Sequence, residues 1–439
     1  MSILGIELRR SSAIWAALIL LLAAVGVFYA VPQNWVASYM SLAMYERQTL
    51  GLLWPLAMAA GAWQGRREHK AKVAELFDST PRPRREQVVP ILGATALTVG
   101  GAYLVAAAAA APRIIDTASY LPAQVFAVLA VGAISLVAAA WVGLAVGRLV
   151  PLLVTPPILA ILVWALSPAL VGALKNQKWL AMLFLPFNGV GSYTDYQTVE
   201  GRVSFAQAVW LIGLAAAGAV LLAAASRRTR VWAAVVAVAG ASAGVALMPS
   251  GTAFHENPVD PVAMEQVCAA GSPRVCVARV HKTQLPEVIP YATRGLAVLA
   301  KVPGGPTNAR EDINVYFGEE PPPPPADTAE FPVQLDADGH LQGSDGVVRD
   351  MVYGTLRNDF DCSEGDPRSY VRAATSYLLG AEPVKEYDSE PAEVNAEAVT
   401  IWQGLRTMPE QAALNRIGDV RKAARACRPL DKILAGKSS

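Results

Sequence analysis

The chain has 439 residues, 53% of them hydrophobic, with 37 Lys and Arg against 36 Asp and Glu. The near-zero net charge excludes neither a membrane domain nor a soluble one, but its distribution excludes a single evenly charged body. Residues 1–249 carry 18 Lys/Arg against 9 Asp/Glu, whereas residues 250–439 carry 19 against 27, so the two halves face different solvents.

Ile3 to Ser12 alternates Ile3, Leu4, Ile6 and Leu8 with Glu7, Arg9 and Arg10, which predicts an interfacial helix within residues 1–12. Seven apolar runs follow, at about 13–31, 50–64, 89–111, 123–147, 149–173, 207–226 and 231–248, and the charged residues of this half fall between them. Each approaches the roughly 20 residues a helix needs to cross a hydrocarbon core. The fifth run contains Pro151, Pro156, Pro157 and Pro168, which predicts a bent or broken span. Between runs five and six, Trp179 to Phe187 is apolar but too short to cross, and reads as a re-entrant or interfacial piece.

Beyond the seventh run, Val275–Val280 and Asn314–Phe317 are strand-like, while Glu287–Ala300, Pro367–Leu379, Ala392–Leu405 and Pro409–Ala426 have helical spacing. The five prolines Pro321–Pro325 form a stiff spacer. The expected fold is thus a polytopic α-helical membrane protein of about seven spans with a carboxyl-terminal extracytoplasmic α+β domain. Its expected parts are an interfacial segment 1–12, a six-span domain 13–230, an added span 231–248 and a disulfide-containing domain 249–439.

Basic loops stay cytoplasmic. Arg9 and Arg10, the cluster from Arg66 to Arg85, Arg148, and the group Arg227, Arg228 and Arg230 lie in alternate connections, while the others are poorer in charge. This predicts a multi-pass plasma-membrane protein with its amino terminus inside and carboxyl terminus outside. The first run lacks a processing site and does not read as a cleaved signal. All four cysteines, Cys268, Cys276, Cys362 and Cys427, lie in the outside domain, which suggests two disulfides in an oxidising compartment. Three connectivities are possible, and nearest neighbours would pair Cys268 with Cys276 and Cys362 with Cys427. The rival, a zinc site using Cys-x7-Cys and His281, lacks the short ligand spacing of structural zinc modules.

Several catalytic patterns fail on context. Gly240-Ala-Ser-Ala-Gly244 matches a nucleophile elbow but sits in an apolar run, where small residues serve helix contact. Gly436-Lys437-Ser438 lacks the earlier glycine of a phosphate loop, because Asp431 stands there. His69, His255, His281 and His340 are scattered, with no metal-ligand spacing. The basic loop carries no base-stacking aromatics, which argues against nucleic acid. The chain therefore offers no catalytic, cofactor or metal residues of its own. Nor does any apolar run hold a carboxylate of the kind ion-coupled carriers use, so energy for transport would come from a partner.

The connection from Arg66 reads RREHKAKVAELFDSTPRPRREQ, in which Val73, Ala74, Leu76 and Phe77 form a small apolar face beside Glu75, before Asp78 to Pro81 stop the helix. Such a face can enter a partner's groove. The competing reading is a solvated basic loop on anionic headgroups. Here the chain resembles the type-2 class of ATP-binding-cassette exporter permeases, which carry Arg-Glu, then Glu-Leu-Leu/Phe, then Thr-Pro and a basic residue. Arg67-Glu68, Glu75-Leu76-Phe77 and Thr80-Pro81-x-Pro83-Arg84 match that order, and the resemblance covers roughly residues 1–230. It implies that Arg67, Glu68, Val73, Glu75, Leu76, Phe77, Thr80, Pro81 and Arg84 couple to a separate ATPase subunit holding ATP and Mg. It also implies a second permease copy or homologue as partner, within membrane lipid. The seventh run and the outside domain depart from the family pattern. A membrane-anchored sensor is the alternative, and a tethered enzyme a third.

Overall fold

The computed structural model describes residues 13–67, 84–191, 194–256, 258–313, 325–357, 368–385 and 392–426. The chain divides into two compact units, Met1–Asp260 and Pro261–Ser439.

The described part of the first unit is helical: α1 (Ala13–Ala30), α2 (Tyr39–Gly65), α3 (Arg84–Ala110), α4 (Gln124–Leu149), α5 (Thr155–Ala173), the short α6 (Lys178–Phe184), α7 (Gly201–Ala223) and α8 (Arg227–Leu247). Five of these, α3, α4, α5, α7 and α8, are long and apolar enough to cross a membrane. The described part of α1 is apolar but shorter, and α2 is 27 residues long but carries Glu46 and Arg47. By length and composition this is a helical membrane domain. Lipid explains why α5 exposes Ile161, Trp164 and Leu166 and α8 exposes Trp232 and Val238: in hydrocarbon these faces need no protein cover.

Local chemistry sets the helix boundaries. Ser38 caps α2 by accepting the Ser41 amide at 3.0 Å, and Ser226 with Thr229 forms a capping box that starts α8. The prolines of the fifth run act mainly at its start. Pro151 precedes α5, Pro156 and Pro157 lie in the first turn, where a missing N–H costs nothing, and Pro168 sits within a continuous helix. The run is therefore shortened rather than broken. Trp179 to Phe187 contains the seven-residue α6, with Ala181, Met182 and Leu183 buried.

α4 lies at the centre, packed against α2, α3, α5 and α7. Its contact with α2 is made by backbone. A Cβ on Gly61 or Gly65 would collide with the Ala140 or Leu144 carbonyl oxygen, and one on Gly143 or Gly147 would collide with that of Met58 or Ala62. Both helices thus present glycines four residues apart to each other's carbonyls, the small-xxx-small geometry that lets helices approach closely in lipid. α8 docks on α7 similarly, where a Cβ on Gly240 would fall 2.8 Å from the Gly213 Cα. The Gly240–Gly244 pattern is a packing face, as its apolar setting predicts.

The connections at one end of the bundle are tied together. Tyr120 donates to Asp260 at 2.6 Å, Lys178 pairs with Glu256 at 2.5 Å, and the Asp260 amide donates to the Tyr196 carbonyl at 2.8 Å. Residues beyond α8, up to Asp260, therefore pack with the first unit. At the other end Arg148 donates to the Leu222 carbonyl at 2.7 Å, in the last turn of α7, where a cation meets the negative end of the helix dipole.

The second unit holds a four-stranded sheet ordered β1 (Gln266–Cys268), β2 (Val275–Ala278), β3 (Asn308–Glu311) and β4 (Thr328–Phe331). β1 and β2 are antiparallel, while β2–β3 and β3–β4 are parallel. α9 (Leu285–Leu299) crosses between β2 and β3, and α10 (Ser344–Leu356), α11 (Arg368–Leu379), α12 (Ala392–Thr407) and α13 (Glu410–Arg425) follow the sheet. Val277, Leu299, Phe331, Met351, Val352 and Ile417 meet in its core. Cys268 and Cys276 are cross-strand partners of β1 and β2 and form a disulfide. Cys362 and Cys427 lie outside the described residues, as does the expected strand Asn314–Phe317.

Replacing Gly61 or Gly143 by Val should destabilise the first unit by at least the roughly 1–3 kcal/mol typical of overpacking, because a helix carbonyl cannot turn aside. Gly172→Ala, where an added Cβ meets nothing within 4 Å, is the control. Thermal unfolding in one detergent would read the difference.

Candidate functional site

Glu46 and Arg47 lie seven and eight residues into α2, roughly 10 Å along the helix from its Tyr39 end. Both are fully buried, each at 0% exposure, although they fall outside every apolar run read from the sequence. The apolar runs hold no carboxylate, as expected, but the helix that contains the second run does. α2 extends eleven residues ahead of its apolar run, from Tyr39 rather than residue 50, and carries an acid and a base inside the bundle.

Long-range partners hold the base there. Arg47 Nε donates to the Pro186 carbonyl at 2.7 Å, and Nη2 donates to Gln207 Oε1 on α7. Gln207 Nε2 in turn donates to the Met182 carbonyl of α6 at 2.6 Å. One guanidinium thus links α2, α7 and the segment around α6, and the short apolar piece is anchored by its backbone carbonyls. Two of the guanidinium nitrogens are thereby satisfied, while Nη1 makes no hydrogen bond among the described residues.

The acid differs. Neither carboxylate oxygen of Glu46 makes a hydrogen bond among the described residues, and the same holds for Tyr103 Oη and Ser135 Oγ, both buried. Tyr103, on α3, interacts electrostatically with both Glu46 and Arg47. Its hydroxyl occupies the space a Cβ would need at Gly132 of α4, so that glycine makes room for the phenol. Tyr103 lies seven residues before the end of α3, matching Glu46 in depth. A buried carboxylate beside a phenol and a fixed guanidinium can take up and release a proton or hold a cation. An ionisable group at this depth marks a functional site by default.

Of the residues expected to couple to an ATPase, Arg67 is exposed just past α2 and Arg84 opens α3. Glu68, Val73, Glu75, Leu76, Phe77, Thr80 and Pro81 lie outside the described residues. Thus α2, which holds Glu46 and Arg47, leads into that loop, and α3, which holds Tyr103, leads out of it.

The histidines in the described residues are each paired with a glutamate. His255 contacts Glu200 at 3.1 Å, His340 contacts Glu287 at 2.8 Å, and the buried His281 contacts Glu311 at 2.6 Å. Glu311 also accepts the Ala278 amide at 2.6 Å, which fixes the end of β2. These partners stand 55, 53 and 30 residues away, a separation that hides them from sequence reading. Among the described residues, no three His, Cys, Asp or Glu side chains are grouped to hold a metal ion. Comparison with known protein families, curated proteins and solved structures finds no match to this chain.

Arg47→Ala should destabilise by roughly 1–3 kcal/mol for each buried acceptor it strips of its donor, Gln207 and the Pro186 carbonyl. Glu46→Gln should leave the unfolding midpoint unchanged or raise it, because a carboxylate without hydrogen bonds is a burden on the fold. Midpoints measured side by side in detergent would check both.

The hydrogen bond that His340 donates to Glu287 raises the His340 pKa above its ordinary value, with the carboxylate's charge adding to it. The protonated ring is the stabilised form, so this contribution is present below the ordinary histidine value and is lost as pH rises through the raised one. A proton NMR titration should show the elevated midpoint, and Glu287→Gln should bring it back to the ordinary range.

Proposed function

We propose that the chain is the membrane-spanning subunit of an ATP-driven exporter, of the type-2 ATP-binding-cassette permease class. Two membrane halves enclose the substrate pathway, and separate ATPase subunits press on residues 66–85. Those residues face the cytoplasm, the amino terminus is inside, and the second unit lies outside.

The observation that carries this reading is the continuity of α2. It runs unbroken from the Glu46–Arg47 site through the glycine contact with α4 to Gly65, where the basic connection begins. A push at residues 66–85 would reach the central helix through backbone-to-backbone contact, which leaves little slack. ATP-driven closure of the partner subunits would then bias the helices between two arrangements. The permease itself supplies the pathway and the lever, with ATP and Mg held by the partner.

The basic residues at one end of the bundle support the orientation, since positive loops remain cytoplasmic. Arg66, Arg67, Arg148 and the group Arg227, Arg228 and Arg230 all fall at the end opposite Tyr39.

Buried Glu46 favours a second reading, in which the chain is a carrier driven by a proton or cation gradient with no ATPase. Both readings are tested together. Leu76→Glu with Phe77→Glu should abolish co-purification with the ATPase from mild detergent while membrane insertion persists. Unchanged co-purification removes the docking claim. Gradient-driven flux in vesicles containing only the purified chain, lost in Glu46→Gln, would establish the second reading instead.

A further inference from the structure

A cavity of about 120 Å³ opens in the second unit between α10, α11 and the segment that follows α11. A water needs roughly 10–15 Å³ on this measure, so the space holds on the order of eight to twelve heavy atoms. α11 lines it with Arg372, Thr375, Ser376 and Leu379, a stripe at the i, i+3, i+4, i+7 spacing of one helix face. Arg349 and Tyr353 of α10 stand on the other wall.

The chemistry of this lining is uneven in an informative way. Arg372 is 5% exposed and Thr375 is 4% exposed, and the Thr375 hydroxyl makes no hydrogen bond among the described residues. A guanidinium and a hydroxyl thus lie at the buried base of the cavity. Leu379, Ala381 and Val384 are apolar, and the exposed Lys385 adds a second cation to this side. Two carboxylates also border the space. Asp350 is paired with Arg349 at 3.3 Å, and Glu382 is an exposed residue of the segment after α11. Among the described lining residues cations outnumber acids three to two, and the most buried of these charges is positive.

The structure assigns this cavity as a binding site for a small carboxylate with a short aliphatic body. The carboxylate accepts hydrogen bonds from Arg372 and the free hydroxyl of Thr375, with Ser376 and Lys385 on its flank. The carbon chain lies against Tyr353, Leu379 and Val384. A guanidinium and a hydroxyl placed side by side suit the planar, two-oxygen acceptor of a carboxylate. The apolar wall selects against small hydrophilic anions. This site is separate from the proposed transport function and does not depend on it.

The test uses the purified full-length chain in detergent with 4-methylpentanoate, a branched carboxylate of eight heavy atoms, as the probe. Titration calorimetry should show saturable binding at one site, and the uncharged 4-methylpentan-1-ol should bind at least about tenfold more weakly. Thr375→Val and Lys385→Gln should each weaken binding several-fold, while Trp402→Phe, outside the cavity, should not. Lys385 is an exposed residue outside any helix or strand, so its variant keeps the assignment testable even if changes at the buried base disturb folding. Absence of saturation up to about 10 mM, equal binding of acid and alcohol, or full affinity in Lys385→Gln or in a folded Thr375→Val would overturn the assignment.

Discussion

The contact on which the membrane unit depends is the meeting of α2 and α4 through their glycines. Hydrocarbon gives no hydrophobic reward for bringing two apolar helices together, so close backbone approach and dispersion must supply the attraction. Gly61, Gly65, Gly143 and Gly147 remove the side chains that would hold the helices apart, and each faces a carbonyl of the other helix. With that seam fixed, α4 can serve as the shared neighbour of α3, α5 and α7. The seam also fixes the register of α2, which sets the depth of Glu46 and Arg47.

Those two adjacent residues have unequal surroundings. Arg47 is bonded to Gln207 of α7 and to the Pro186 carbonyl after α6, and Gln207 carries the link on to Met182, so its burial contributes to cohesion: it draws α7 and the α6 segment onto α2. Glu46 makes no hydrogen bond of good geometry among the described residues, so its burial is expected to cost the fold stability. Opposed energetics on neighbouring residues separate a structural role from a functional one more clearly than burial alone, because a group retained against its folding cost needs another reason to be there. Tyr103, above Gly132, completes the surroundings of the acid from a different helix.

Much of the helical half was legible because lipid imposes a simple rule, about twenty apolar residues per crossing, which five of the seven expected spans meet. Reading failed where partners were distant. α2 starts at Tyr39 and α7 at Gly201, earlier than their apolar runs, since Glu46, Arg47 and Arg202 read as loop residues when taken one at a time. Nothing within ten positions of Arg47 announces Pro186 or Gln207. In the second unit, the helices from α9 and α11 to α13 and the Cys268–Cys276 pair were visible, through periodicity and proximity. β3 was not, because one of its two buried side chains is the charged Glu311. α10 was missed as well: Gly346 and Gly354 dilute its helical signal. The cavity walls come from two helices whose shared face no single stretch displays.

The helices of the first unit differ in length. α2 and α3 have 27 residues each, roughly 40 Å of rise, whereas α5 has 19, roughly 28 Å. A hydrocarbon layer near 30 Å suits the shorter one upright and obliges the longer ones to lean or protrude. α5 is bare on most of its circumference within this chain, so in a bilayer its exposed faces would be open to acyl chains. Bilayer thickness therefore acts on this unit as a mechanical load: a thicker leaflet pair would straighten the long rods and strand the short one, so lipid composition becomes a variable of its conformational balance.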